Sequence, residues 1–180
     1  GCDYCFMEVS SHAVVQQRIA GLRFAGGIFS NITHDHLDFH KTFDNYIKAK
    51  KKFFDDLDRF AFALTNGDEK NGSVMLQNTF AHKKTYGLKG VADFKAKIIE
   101  SHFDGMLLNI EGHEVWVKLV GEFNAYNILA VYGAAILLEQ ETVKVLTALS
   151  QITGAEGRFE AITSKNGVIG IVDYAHTPDA

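Results

Sequence analysis

Cysteine is scarce in this chain. Only Cys2 and Cys5 occur among its 180 residues. No disulfide framework can hold the fold, and a reducing cytoplasm is the expected home. No second cysteine pair exists to complete a zinc ribbon around Cys2-x-x-Cys5, although a redox pair stays open for these two residues. Positive charge is not in excess either. Eighteen Lys and Arg stand against 22 Asp and Glu, a net charge of −4, so no broad basic field for nucleic acid is implied. No apolar run reaches the length of a membrane span, and no signal peptide is visible. Neither G-x-x-x-x-G-K-[ST] nor G-x-G-x-x-G occurs, so a triphosphate is not cradled by either glycine-rich loop within this chain. What remains is 47% hydrophobic and 22% charged. That fits one globular domain, or one domain plus a fragment, with enough chain to bury a core.

The densest stretch is Ser30 to Lys52, SNITHDHLDFHKTFDNYIKAKKK, with three histidines, three aspartates and five lysines. Placed on a helix, Phe43, Tyr46, Ile47, Phe54 and Leu57 share one apolar stripe at the i, i+3, i+4 rhythm. Lys50 falls within that stripe. Lys48, Lys51 and Lys52 are expected to face water. A lysine on an apolar face must snorkel, pair or change its chemistry, because an unpaired buried ammonium is expensive.

Taken in order, Tyr4–Val9 reads as a first strand and Ala13–Leu22 as a helix with Ser11 at its N-cap. Gly26–Ile32 is a second strand, followed by the histidine loop and a Phe43–Leu57 helix. Phe60–Thr65 is a third strand, Val74–Leu76 a short helix and Lys84–Leu88 a fourth strand. Asp93–Val120 is hairpin-like around Gly112. Phe123–Glu139 and Thr142–Ile152 are apolar helices. After the Gly154–Gly157 break a new strand pattern begins at Arg158, and Val168–Val172 is a further strand. The expected class is α/β: a doubly wound, mostly parallel sheet with flanking helices and a small antiparallel β appendage. Residues 1–157 would form one domain, and 158–180 the start of a second, cut off soon after it begins.

In such sheets ligands sit beyond the carboxyl ends of the strands. Glu8 with Ser10, Asn31 with His34 and His36, and Asn66 with Asp68 are therefore candidates for one crevice. Glu8 and His36 form a plausible ligand pair for magnesium or manganese, with waters or phosphates filling the other positions. A strand-end carboxylate capping the next helix, and a loop histidine bonded to backbone, are the structural alternatives. The His34, His36, Asp38, His40 cluster also admits a metal-dependent hydrolase, but Phe39 separates Asp38 from His40 and no downstream ligand histidines are evident.

Several blocks together carry a resemblance. Met7-Glu-Val-Ser-Ser-His12, with Gln16 and Arg18 on the following helix, resembles the Mur ligase family. So do Asn31-Ile-Thr-His-Asp-His36-Leu-Asp38-Phe-His40 and the Tyr46-x-x-Ala49-Lys50 that follows. Gly121-Glu-Phe-Asn124-x-x-Asn127, Gly157-Arg158-Phe-Glu160 and Asp173-Tyr-Ala-His-Thr-Pro-Asp179 resemble the later blocks of the family, in the same order. The Ser-Ser-His and Asp-His-Leu-Asp-x-His variants are most similar to the member that adds the third peptide residue, diaminopimelate or lysine.

The resemblance implies an ATP-dependent, amide-forming ligase of peptidoglycan synthesis. Its small-molecule substrates would be a UDP-muramyl-dipeptide, ATP and an amino acid, with no nucleic acid and no membrane. Glu8 and His36 would hold Mg2+. Lys50 would be carbamylated by carbon dioxide and help to hold a second Mg2+; desolvation favours the neutral amine that can add carbon dioxide. Ser10, Gln16 and Arg18 would contact the UDP substrate. Asn127 would face adenine, with Arg158 and Asp173 near the ribose and phosphates, and Arg158 would double as a hinge. Capping is the structural alternative for Asn124 and Asn127, and a surface salt bridge that for Arg158. The glycine-rich ATP loop, the uridine-binding domain and most of the C-terminal domain are missing, so this piece is expected to be inactive by itself. A folylpolyglutamate synthase-like ligase is the alternative within the resemblance.

Overall fold

The computed structural model describes residues 1–33, 37–155, 157–164, 166 and 168–174; the side chains of 37, 38, 160, 161, 163 and 169 are outside the description. Its centre is a six-stranded sheet in the order β1 (Gly26–Phe29), β2 (Phe62–Asn66), β3 (His82–Gly87), β4 (Phe94–His102), β5 (Gly105–Ile110), β6 (His113–Val117). The first four strands pair parallel and the last two add antiparallel. The expected mostly parallel sheet is therefore present. The expected antiparallel appendage is present as β5 and β6. It continues the parallel sheet through the Tyr86↔Phe94 and Gly87↔Lys95 pairs.

Alternation along β2 builds two cores. Phe62 and Leu64 face one layer, with Tyr86, Met106, Leu108, Ile110 and the helices α5 (Glu122–Leu137) and α6 (Thr142–Gln151). Ala61 and Ala63 face the other, with Phe29, Tyr46, Phe54 and Met75. Tyr46 and Phe54 belong to α3 (Phe43–Asp55) and Met75 to α4 (Gly72–Met75). Helices thus cover both faces, the doubly wound arrangement, because strands buried on both sides need apolar residues at every position. All five residues of β2 are buried.

α3 matches the apolar stripe. Thr42 caps it, its hydroxyl accepting the Asn45 amide at 3.2 Å, and the chain leaves the helix just before Leu57. Two expectations fail near the N-terminus. Tyr4–Val9 is not a strand, although its run of apolar residues suits one. A strand needs a hydrogen-bonding neighbour, and β1 pairs only with β2 among the described residues. The following helix, α1 (Ser11–Val15), is short. Gln17 adopts a left-handed conformation, φ 55°, and the Arg18 amide closes on the Ala13 carbonyl, which is how helices end. The cap is Ser10, whose hydroxyl accepts the Ala13 amide at 3.1 Å, not Ser11. A short helix α2 (Leu37–His40) precedes α3. The last two strands, β7 (Glu160–Thr163) and β8 (Ile169–Val172), form an antiparallel pair apart from the main sheet.

Candidate functional site

The N-terminal segment, β1 and α3 enclose a cleft of about 490 Å³. Tyr4, Met7 and Val9 line it from one side, Gly26 to Phe29 from another, and Lys50 with Phe53 from α3. Lys50 is half-buried. Its Nζ lies 5.3 Å from the centre of the Tyr46 ring, one helical turn earlier, an arrangement that favours an ammonium over the ring face. The neighbouring lysine corrects an expectation. Lys51, expected in water, is buried at 9% exposure and pairs with Asp55 one turn on. The i, i+4 spacing of opposite charges explains it and was visible in the sequence.

Glu8 is exposed and makes no hydrogen bond or ion pair among the described residues. Its neighbours Met7 and Val9 line the same cleft as Lys50. An uncommitted carboxylate is a hard oxygen donor that suits magnesium. The Lys50 amine suits a metal only after conversion to an oxygen anion. His36 lies outside the described residues, as does His34. Among the described residues no three His, Cys, Asp or Glu side chains gather as a metal site.

Three helices meet beside this cleft. His40 Nε2 lies 2.8 Å from the Ser11 hydroxyl, and both are buried, at 6% and 1% exposure. The His40 ring stacks on Tyr46 at 5.2 Å, and Asn45 donates to the His40 carbonyl. His40 is thus tied into the packing of α1 on α3. That weakens the hydrolase reading, whose cluster would need this ring for a metal. Gln16 and Arg18 are both exposed. Arg18 sits beyond the end of α1 rather than on it.

The nucleotide candidates lie elsewhere, on α5 and the β7–β8 hairpin. Asn127 is exposed and donates to the Asn124 side chain at 3.2 Å; Asn124 is buried and donates to the Val120 carbonyl at 2.8 Å. Arg158 is exposed. The Asp173 carboxylate accepts the Phe159 amide at 2.7 Å, so it also closes the hairpin. The Phe159 ring meets Phe123 edge-on at 5.5 Å. This contact brings the hairpin to the start of α5, where the two asparagines sit.

Asn66 and Asp68, expected in the crevice, are committed to structure. Asn66 accepts the Asp68 amide at 3.0 Å. The Asp68 carboxylate accepts the amides of Leu88, Lys89 and Gly90 at 2.7, 2.9 and 2.8 Å and the Tyr126 hydroxyl at 3.0 Å. Burial alone would raise its pKa. The three amides and the hydroxyl outweigh it and hold the carboxyl below its usual range. Tyr126 moves the other way: burial, the bond to Asp68 and the charges of Asp68 and Glu122 push its hydroxyl up. No sequence signal pointed to this pairing.

The profile of the Mur ligase middle domain matches residues 1–135. The chain is 63% identical over 180 residues to the UDP-N-acetylmuramoyl-L-alanyl-D-glutamate–2,6-diaminopimelate ligase of Parabacteroides distasonis, covering all of this chain and 37% of that protein. The protein of the same name from Bacteroides thetaiotaomicron is 61% identical with the same coverage. The one from Clostridioides difficile is 40% identical over 187 residues. The chain therefore spans little more than a third of the curated relatives it matches. Among solved structures, a MurF ligase from Thermotoga maritima in complex with ADP has a TM-score of 0.76 at 20% identity, covering 95% of this chain and 40% of that one. A UDP-N-acetylmuramate-alanine ligase from the same organism has a TM-score of 0.71 at 24% identity, covering 86% of this chain and 36% of that one. At those identities the likeness is one of fold.

Proposed function

Because the chain belongs to the Mur ligase family, we propose that it carries the central part of a cytoplasmic, ATP-dependent ligase. That ligase joins 2,6-diaminopimelate to UDP-N-acetylmuramoyl-L-alanyl-D-glutamate. The observation that carries the reading is identity of about 60% along the entire chain to proteins bearing that name. It favours the muramyl substrate over folate, and diaminopimelate over lysine. Residues 1–157 are the ATP-binding domain without its glycine-rich loop, and 158–180 begin the next domain.

In this reading a substrate carboxylate attacks the γ-phosphoryl group of ATP, releasing ADP and forming an acyl phosphate. The amine of the incoming amino acid then attacks the acyl carbon and phosphate leaves. Positioning and charge supply most of the acceleration. Glu8, with His36, would hold Mg2+, whose charge offsets that of the phosphates. The Lys50 amine adds carbon dioxide and loses a proton, giving a carbamate that would serve as a further ligand. Ser10, Gln16 and Arg18 contact the UDP-dipeptide. Asn127 faces adenine, with Arg158 and Asp173 beside the ribose and phosphates.

Phosphate release by the full-length polypeptide, with ATP, the UDP-dipeptide and diaminopimelate, tests the reaction. Turnover that needs all three is expected. Hydrolysis of the UDP substrate without ATP would sink the proposal. The 180-residue chain alone should give no turnover. Intact mass under carbon dioxide should show one added carboxyl group that the Lys50→Ala variant lacks.

A further inference from the structure

Asp68 and Tyr126 are not among the residues given a role in the ligase reading, yet they make the most concentrated polar contact among the described residues. The turn after β2 sets the carboxylate. Asn66 accepts the Asp68 amide, and the Gly67 amide bonds the Tyr86 carbonyl at 2.8 Å. Three successive amides of the β3–β4 loop then converge on the carboxylate. A Cβ at Gly87 would come within 2.9 Å of it, and one at Gly90 within 3.1 Å. Glycine there is a matter of close approach. From the other side, Tyr126 of α5 donates its hydroxyl to the same oxygen that accepts Leu88 and Lys89.

This bond bears on the roll of α5. The helix's buried face mixes the small residues Ala125, Ala130, Gly133 and Ala134 with the larger Ile128, Leu129 and Tyr132. Core packing sets the general orientation of the helix, and the Tyr126 bond adds a directional polar tie one residue before Asn127. The Lys89–Glu122 pair is exposed on both sides and adds little. Asn127 follows Tyr126 directly. A roll of about 20° would carry its side chain about 2 Å at the helix surface.

We infer that Asp68 and Tyr126 are positioning residues for the nucleotide site, fixing the rotation of α5 so that Asn127 meets the base. The inference rests on the ligase reading, in which Asn127 faces adenine. Neither residue touches the reacting atoms. Both act through the helix that carries Asn127.

The test uses the full-length polypeptide and the Tyr126→Phe variant, which keeps the ring and loses only the hydroxyl bond. The KM for ATP should rise about tenfold, because misplacement of about an ångström is felt strongly in binding. The KM for the UDP-dipeptide should stay within about twofold, since its contacts lie on other elements. Asp68→Asn should move the same KM further. A purely structural role would lower stability without moving the ATP KM selectively, or would change both KM values together. An ATP KM unchanged in Tyr126→Phe, or equal rises in both KM values, overturns the inference. If the wild-type polypeptide shows no ATP-dependent turnover, the ligase reading falls and takes this inference with it. Normal wild-type turnover with an unmoved Tyr126→Phe overturns the inference alone.

Discussion

Replacing Asp68 by Asn tests how much the carboxylate clamp contributes to folding. The wild-type carboxylate accepts four hydrogen bonds, three of them on one oxygen. Asparagine has one acceptor oxygen and one donor group. Its best orientation keeps Leu88, Lys89 and Tyr126 on the carbonyl and turns the amide nitrogen toward the Gly90 amide. Two donors then face each other and that bond is lost. The three retained bonds change from charge-assisted to neutral, each weakened by up to about 1 kcal/mol. Asp68 is only half-buried, so water recovers part of the difference. A net loss of about 2 kcal/mol follows, which lowers Tm by about 4–8 °C for a chain of this size. The effect has a defined pH dependence. The folded-state pKa of Asp68 is depressed, so its stabilisation is complete above the ordinary Asp value and disappears as pH falls through the folded value. Thermal melts by circular dichroism should show the full gap between wild type and Asp68→Asn at pH 7. The gap should narrow once pH drops below about 4. Asp93, also depressed by Lys84 and Thr85 against the opposing effect of its own burial, is present in both proteins and cancels. A Tm difference under about 2 °C at pH 7, or a gap that stays constant down to pH 3, would refute the reasoning.

Gly72→Ala should lower stability by about 2–3 kcal/mol, because the added Cβ would lie 2.1 Å from the Asn66 carbonyl oxygen, a backbone atom at the end of β2 that cannot swing aside. An unchanged Tm would show that α4 can shift without loss. Ser11→Ala removes the hydroxyl partner of the buried His40 ring and should cost about 1–2 kcal/mol. Denaturant unfolding reads the loss, and a midpoint equal to wild type would mean that the ring finds another partner there.

Periodicity carried most of the legible fold. The stripe from Phe43 to Leu57 identified α3, and the hairpin pattern around Gly112 identified the antiparallel strands, where Met106, Leu108 and Ile110 are fully buried. What a local pattern cannot hold is the neighbour. Tyr4–Val9 has the composition of a buried strand, but pairing depends on which strand lies alongside, and none does among the described residues. The same limit hid the join between β3 and β4. The early end of α1 turns on one left-handed residue, Gln17, where the sequence offers no glycine. For the candidate site, the motifs gave the residues and their order, but not their commitments. Asp68 finds its partners 20 to 22 and 58 positions away. That separation leaves no trace in spacing.

Glu8 and Asp68 show why commitment matters more than residue type. In sequence they read alike: each is an acidic residue close behind an apolar run, and each is a candidate for the crevice. In the structure they are opposites. Asp68 has four donors directed at it, and its charge is already answered by the protein. A cation could compete for it only by displacing those donors. Glu8 is exposed and has no bond among the described residues, beside a cleft that also contains Lys50. A carboxylate held without internal donors is available to a ligand of opposite charge. The same chemical group therefore serves the fold in one place and is uncommitted among the described residues in the other. The lack of protein donors among the described residues, rather than the presence of a carboxylate, separates the candidate metal ligand from the structural anion.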